Sequence, residues 1–180
     1  MKKFFKIGCF GIIALFALIV VVAIFSGGDE ETVSTGGNST QETSEKTEAT
    51  PGTKIIDASS QTQTLNGLVI NLGEVKIDKD KIQVGMNIEN TSDKTITFYP
   101  DQGNAVIGNL QVDANLFFTE GDVSGDIMSG VQKEGVIEFL APEGKEIDVE
   151  TVTEIKFHFG SVNDETYMNT QEANFIIPVK

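Results

Sequence analysis

The sequence of 180 residues has no tryptophan and no arginine, and it contains one cysteine, Cys9, and one histidine, His158. A single cysteine excludes an internal disulfide, and one cysteine with one histidine cannot supply the four ligands of a structural zinc site. A Ser-His-Asp or Cys-His catalytic site would have to use His158. The lack of tryptophan and of a cysteine pair excludes an antibody-type immunoglobulin domain but leaves other β-sandwiches open.

Positive charge is scarce as well. The chain has 13 lysines against 27 aspartates and glutamates, and Lys2, Lys3 and Lys6 precede all of the acids. The part of the chain that follows these lysines therefore has a formal net charge of −17. Such a surface repels phosphate groups, which argues against nucleic acid and against anionic lipid head groups as partners.

One long apolar run is present, and it lies near the N-terminus. Residues 7–25 carry no charge, and these roughly 19 residues would span about 30 Å as a helix. The run is longer than the apolar core of a cleavable signal peptide, and the nearest cleavage patterns, at Val21-x-Ala23 and Ser26-x-Gly28, are imperfect. We therefore predict a retained transmembrane helix within residues 1–25, with signal cleavage and secretion as the alternative.

The charges around this run predict its orientation. Lysines lie before it and acidic residues after it, which places the N-terminus in the cytoplasm and the rest of the chain outside the cell. Cys9 lies at the start of the run, whereas the lipid-modified cysteine of a bacterial lipoprotein follows the apolar run. We therefore interpret Cys9 as a small apolar residue of the helix, with palmitoylation as a minor alternative.

Residues 26–60 differ in composition from the rest of the chain. Serine, threonine, glycine and glutamate dominate them, and apolar periodicity is almost absent before Ile55. Because such a segment cannot bury enough surface to offset the entropy of ordering, we predict a disordered linker with a mean span of about 30–35 Å. Within it, Lys54–Asp57 is a candidate first short strand or docking segment.

Residues 61–180 show the alternation of apolar and polar residues that is typical of β-strands. A bulge is predicted at Gly73, and Gly108-Asn109 is a two-residue hairpin signal, whereas residues 115–134 are rich in loop signals. About seven short strands with Gly, Asn and Asp turns predict an all-β, antiparallel β-sandwich. The apolar residues predicted to face its core are Leu68, Ile70, Leu72, Val75, Ile77, Ile82, Val84, Met86, Ile88, Ile96, Phe98, Ile137, Phe139, Ile155, Phe157 and Phe159.

Four stretches of this region resemble a known family. They are NGLVINLGEVKI (66–77), KIQVGMNIENTSDKTITF (81–98), SGVQKEGVIEFLAPEG (129–144) and EIKFHFG (154–160). The chain resembles the Gram-positive surface proteins grouped as domain of unknown function 4352, which combine an anchor, a polar linker and one immunoglobulin-like, telokin-like sandwich. The resemblance implies that fold and a cell-surface location. It implies no reaction, because the family has no established active site.

Few residues are candidates for chemistry. In the strand that contains Phe157 and Phe159, His158 is expected to point to solvent. Two acidic pairs, Asp78 with Asp80 and Asp122 with Asp126, are the candidates for calcium, but neither fits a calcium-loop pattern, and aspartate is common in turns. Nucleotide-binding glycine motifs are absent, and no spacing singles out a carboxylate pair for sugar hydrolysis. We therefore predict no catalytic, cofactor-binding or metal-binding residue.

These observations favour a non-enzymatic, single-pass membrane protein that displays one binding domain outside the cell. Its expected contact surface comprises the loops at residues 100–104 and 115–130, because loops on a rigid sandwich commonly carry recognition. The partner would be a protein or a cell-wall ligand. The alternative is a surface or secreted hydrolase, or a calcium-dependent protein, that uses the acidic loops; it would require three or more carboxylates around one concave pocket. A wall-stress or chaperone-like accessory role stays open.

Overall fold

The computed structural model describes residues 33–36, 52–117 and 120–179, in which twelve β-strands and one 3-10 turn make up the regular structure. No α-helix occurs within these ranges, and none of their segments is a helix long and apolar enough to cross a bilayer. The helix predicted within residues 1–25 lies outside them. The strands are β1 (Lys54–Asp57), β2 (Thr62–Leu65), β3 (Leu68–Ile77), β4 (Lys81–Asn90), β5 (Ile96–Phe98), β6 (Asn104–Ile107), β7 (Leu110–Ala114), β8 (Glu120–Gly121), β9 (Gly125–Ile127), β10 (Gln132–Leu140), β11 (Glu154–Asp164) and β12 (Thr170–Pro178).

Strands β3 and β4 show how the sequence pattern becomes a buried face. Their apolar residues alternate with polar ones, and every second side chain of a strand points to the same face of the sheet. The predicted core residues of both strands are all buried, which confirms the pattern. The predicted bulge is also confirmed, because the pairing of β3 with β4 shifts between Leu72 and Val75, on either side of Gly73.

All of the paired strands are antiparallel. The hydrogen-bonded order is β1-β3-β4-β10-β7-β6-β11-β5-β9, with β2 also paired to β3, β8 to β10 and β12 to β11. The link between β10 and β7 is short, because only Phe139 with Ala114 and Leu140 with Asp113 are in register there. This link divides the path into one half that contains β3, β4 and β10 and another that contains β6, β11 and β12.

The two halves share one apolar core. The ring of Phe139 on β10 lies 5.4 Å from Phe157 and 6.0 Å from Phe159, both on β11, although these strands do not pair with each other. On the far side of this group, Phe175 of β12 contacts Phe159 edge-on at 5.9 Å. Side chains from separate parts of the sheet therefore face each other, and the arrangement is consistent with the predicted β-sandwich.

Two stretches that were predicted as linker or loop contain short strands. Strand β1 begins at Lys54, which pairs with Ile77 and lies inside the stretch assigned to the linker; of the two alternatives for Lys54–Asp57, the strand is correct. The region predicted as loop-rich, residues 115–134, contains β8, β9 and the first residues of β10. The prediction of about seven strands was therefore too low, because β2, β8 and β9 are too short to show alternation.

Candidate interaction surface

The first predicted contact loop, residues 100–104, is packed into the fold. Pro100–Gln102 forms a 3-10 turn in which Pro100 is buried. The carbonyl oxygen of Gly103 accepts a hydrogen bond of 3.0 Å from the Ala114 amide. A Cβ on Gly103 would lie 2.3 Å from the carbonyl oxygen of His158, so this loop lies directly against β11. Its role is to join β5 and β6 rather than to project into solvent.

The second predicted loop, residues 115–130, is hydrogen-bonded to β10 at its start. The Asn115 amide donates to the carbonyl oxygen of Glu138 at 2.8 Å, and the Asn115 side chain accepts from the Phe117 amide at 2.9 Å. Glu138 is buried and accepts hydrogen bonds from Lys81 Nζ at 3.0 Å and Gln83 Nε2 at 3.2 Å. The start of the loop is therefore fixed to the middle strands of the sheet.

The same contacts determine the charge of Lys81 beside Glu138. Partial burial lowers the pKa of the Lys81 ammonium, but its hydrogen bond to Glu138 and the negative charges of Glu138, Asp80 and Asp78 outweigh the burial, so the pKa is raised. Lys81 therefore stays charged beside the buried Glu138 carboxylate.

The same loop exposes large apolar side chains. Phe117 is 90% exposed, Leu116 is 55% exposed and Met128 is 69% exposed. Leu116 and Phe117 follow the hydrogen bond from Asn115 to Glu138, whereas Met128 accepts a hydrogen bond from Val131, just before β10 begins. Positions 131 and 138 are about 23 Å apart along an extended strand. The exposed apolar side chains of this loop therefore lie at two separate places on the surface. Leu116 and Phe117 lie together at one of them and are called the apolar corner.

Three of the four aspartates considered for calcium make contacts within the protein. The Asp78 carboxylate accepts from the Thr53 hydroxyl. The Asp122 carboxylate lies 3.0 Å from Lys133 Nζ, and the Asp126 carboxylate accepts from Thr97 Oγ1 at 2.8 Å. Across the residues that the structure describes, no group of three or more His, Cys, Asp or Glu side chains is arranged to hold a metal ion.

His158 is exposed between two buried phenylalanines, as predicted. Its Nδ1 lies 2.8 Å from Oδ1 of Asn174 on the neighbouring strand β12. This contact is a cross-strand pair on the outer face of the sheet. The ring therefore has an amide partner, and the contact does not form the base-and-acid arrangement of a catalytic triad.

A shallow pocket of about 150 Å³ lies between the β6–β7 turn and the loop before β11. Ile107, Leu110 and Val152 supply apolar lining, and Glu146 and Asp148 are its two acidic residues. The hydrolase alternative requires three or more carboxylates around one pocket, and this pocket has fewer.

Sequence reasoning missed a second surface, on the outer face of β3 and β4. There the segment Val33–Gly36 lies against Gly73 and Gly85. The only available signal was a glycine inside the regular alternation of β4, which can mark a close approach of another backbone. The alternation itself gives no indication of what approaches, because the segment lies about 50 residues earlier in the chain.

Comparisons with known proteins show the fold but no function. No family model matches the chain, and no curated protein matches it. A functionally unknown protein from Listeria monocytogenes EGD-e matches with a TM-score of 0.53 and 12% identity, over 71% of this chain and 86% of that protein. Two yeast structures match less well. The GGA1 GAE domain–P21 structure has a TM-score of 0.35 at 9% identity, covering 66% of this chain and 96% of its own. The GAE domain of GGA2p from Saccharomyces cerevisiae has 0.30 at 14% identity, covering 67% and 98%.

The class that these findings define is an all-β, antiparallel fold consistent with a β-sandwich. The likeness to the Listeria protein supports that fold alone, since 12% identity is too low to carry function. The scores of the two yeast structures are too low for any argument.

Proposed function

We propose that this protein is a non-enzymatic binding protein of the cell surface, in which an immunoglobulin-like, telokin-like sandwich is held outside the membrane by an N-terminal transmembrane helix. Its partner is a protein that covers the apolar corner of Leu116 and Phe117. The apolar run at residues 7–25 and the preceding lysines support the anchor and its orientation.

The observation that carries the binding role is the exposure of Phe117. A side chain that is 90% exposed adds almost nothing to the stability of the fold. Burying a phenylalanine against a partner, by contrast, contributes about 1.5–3 kcal/mol to the free energy of binding. The hydrogen bond that the Asn115 amide donates to Glu138, and the one that the Asn115 side chain accepts from the Phe117 amide, hold the main chain beneath it. A large aromatic residue on a fixed base is the type of group that dominates protein–protein contacts.

A thiol-directed crosslinking experiment on intact cells tests the placement and the contact together. The full chain carries Cys9→Ser with either Leu116→Cys, which leaves Phe117 in place, or Ile176→Cys, and cells are treated with a membrane-impermeant maleimide that bears a photoreactive group. Ile176 is the matched control, because it is a large apolar residue that is 57% exposed on β12. We expect both thiols to be labelled on intact cells and only position 116 to crosslink to a protein.

Two results would contradict the proposal in different ways. Labelling of both positions only after cell lysis would show that the domain is not outside the cell. Labelling of both positions with equal crosslinking, or with no crosslink at 116, would show that the apolar corner is not the contact surface. A crosslinked product that a wall hydrolase degrades would replace the protein partner with a wall polymer.

A further inference from the structure

The β-bulge of β3 creates a bare stretch of backbone on the outer face of the sheet. The pairing of β3 with β4 passes from Leu72–Met86 to Val75–Val84, so Gly73 and Glu74 together oppose Gly85. Gly73 and Gly85 alternate with core-facing residues and therefore face outward, yet both are buried. Something other than the core must cover them.

The segment Val33–Gly36 covers these glycines, and Glu74 hydrogen-bonds both main-chain groups of Ser34. The Glu74 amide donates to the Ser34 carbonyl oxygen at 2.8 Å, and the Glu74 carboxylate accepts from the Ser34 amide at 3.0 Å. A bulge removes an amide from the regular ladder of a sheet, and here that amide binds the covering segment. The contact is therefore made to main chain, as in strand addition, but across a face rather than along an edge.

The close approach requires glycine at both positions. A Cβ on Gly85 would lie 1.9 Å from the Ser34 carbonyl oxygen, and one on Gly73 would lie 2.1 Å from the same atom. Neither glycine has a positive φ, so the local backbone does not itself require glycine. The atoms nearest to both added Cβ positions belong to residues 34–36. The segment Val33–Gly36 therefore explains why both positions require glycine.

A row of polar side chains orients the remaining contact. Asn87 Nδ2 donates to the Thr35 carbonyl oxygen at 2.7 Å, and its Oδ1 accepts from Asn71 Nδ2 at 2.9 Å. Asn71 in turn accepts from the Thr62 hydroxyl at 2.8 Å. Beside this row, Glu134 accepts from the Thr35 hydroxyl at 3.3 Å. The Asn87 amide is thus fixed with its donor group toward the segment.

We propose that this surface, the Gly73–Gly85 notch, is a binding site for an extended peptide segment and that the chain's own residues 33–36 are its ligand in cis. The burial of the segment defines the ligand class. Val33 is buried, Ser34 is exposed, Thr35 is half-buried and Gly36 has a φ of 72°. The notch therefore takes an uncharged segment with an apolar residue first, any residue second, threonine third and glycine fourth.

Cis binding gives the segment an advantage over other peptides. A ligand joined by a short chain to its site has an effective concentration in the millimolar range. A free peptide of the same sequence therefore competes poorly with the native chain. It gains access when the cis segment is prevented from binding.

Hydrogen exchange of the Glu74 amide reports directly on occupancy of the notch. In the full chain in detergent micelles, Gly85→Ala is expected to raise the exchange rate of this amide at least tenfold, since the added methyl displaces Ser34. The Ala58 amide, which donates to the Gly73 carbonyl oxygen at 2.9 Å, should keep its rate and so report that the bulge is intact. Asn109→Ala is the control, because Asn109 is exposed in the turn between β6 and β7 and has an ordinary negative φ. Equal Glu74 exchange in wild type and Gly85→Ala would overturn the proposal.

A peptide titration tests whether the notch accepts a ligand in trans. Gly36→Val disables the cis segment without changing the notch, because a Cβ there would lie 3.2 Å from Gly73 Cα and φ is positive. A labelled peptide of residues 31–38, ETVSTGGN, should bind the full-length Gly36→Val protein at least tenfold more tightly than either wild type or the Gly36→Val/Gly85→Ala protein. The peptide ETVSTVGN is the matched control and should not bind.

Two results of this titration would contradict the proposal. Equal binding of ETVSTGGN to all three proteins, or binding to none, would show that the notch is not a peptide site. A wild-type dimer that Gly85→Ala dissociates would assign the notch to the segment of a second copy and would overturn binding in cis.

Discussion

At the scale of single residues, the Asp164 carboxylate organises the turn between β11 and β12. It accepts hydrogen bonds from the Thr166 hydroxyl at 2.8 Å, from the Thr166 amide at 3.1 Å and from Asn169 Nδ2 at 2.9 Å. These donors favour the charged form, the Thr166 hydroxyl most of all, and they lower the pKa of Asp164 from 3.8 to about 2. The acid therefore has a structural use at the end of the hairpin.

This lowered pKa predicts an acid-dependent stability that one substitution removes. Because the folded pKa lies below the unfolded one, the stabilising contribution is full above about pH 4 and is lost as the pH falls toward 2. We expect the difference in Tm between wild type and Asp164→Asn to be constant near neutral pH and to shrink between pH 4 and pH 2. Thermal unfolding monitored by circular dichroism across this range measures it.

Removing the main donor gives the matching test. Thr166→Val should reproduce part of the Asp164→Asn effect. Thr151→Val is the control, because its hydroxyl donates to the Asp148 carbonyl oxygen and not to Asp164, so the change of Tm between pH 4 and pH 2 should stay as in wild type. An Asp164→Asn curve that stays parallel to wild type down to pH 2 would contradict the assignment.

At the scale of elements, the long strands were predictable and the short ones were not. In β4, Ile82, Val84, Met86 and Ile88 alternate without interruption, and one buried face over ten residues is a strong signal. Strand β8 has two residues and β9 has three, so neither can show a period. Their pairing partners, β10 and β5, decide that they are strands, and a local pattern does not contain that information.

The candidate sites were predictable to the same extent, because local patterns do not contain information about partners distant in sequence. The loop at residues 115–130 was predictable as a surface, because glycine and aspartate clusters mark loops, but the separation of Phe117 from Met128 depends on how the loop runs alongside β10. The need for glycine at position 85 comes from Ser34 and not from its neighbours in β4. For features set by residues distant in sequence, a local pattern can at most mark the position, as the glycine in β4 does, and cannot identify the residues that approach it.

Asn90 joins three elements at one end of the fold. Its side-chain amide donates to the carbonyl oxygens of Lys94 at 2.7 Å and of Ile127 at 2.8 Å, and its oxygen accepts from the Ser92 hydroxyl at 2.7 Å. The side chain thereby connects the end of β4, the turn before β5 and the end of β9. The Asn90 side chain is fully buried. If it were removed, each of these partners would lose a hydrogen bond that water cannot readily replace.

We therefore expect Asn90→Ala to lower the free energy of unfolding by about 1–3 kcal/mol. Urea denaturation of the full chain in detergent measures the loss. Asn109→Ala, in the exposed Gly108-Asn109 turn, is the control and should change the value by less than about 0.5 kcal/mol. Equal effects of the two substitutions would show that Asn90 does not connect the three elements energetically.

At the scale of the whole molecule, the question is whether the two halves of the sheet path unfold together. Only two residue pairs link β10 to β7, which is too little backbone pairing to couple the halves strongly. Phe139, by contrast, contacts Phe157 and Phe159 across the core and is fully buried. Side-chain packing should therefore carry much of the cooperativity, beside the side-chain hydrogen bonds that Asn90 and Asn66 make to the other half.

Phe139→Ala tests this coupling, because it removes the aromatic contacts of β10 with Phe157 and Phe159 and leaves the strands' own hydrogen bonds in place. We expect a loss of about 3–5 kcal/mol in the free energy of unfolding, with protection from hydrogen exchange falling equally in β4 and β11. Phe139→Leu serves as a milder variant if the alanine variant does not fold, and Ile176→Ala, at an exposed position, should change neither half by more than about 0.5 kcal/mol. If protection falls in β4 while β11 keeps its own, the halves unfold independently and the shared core does not unite them.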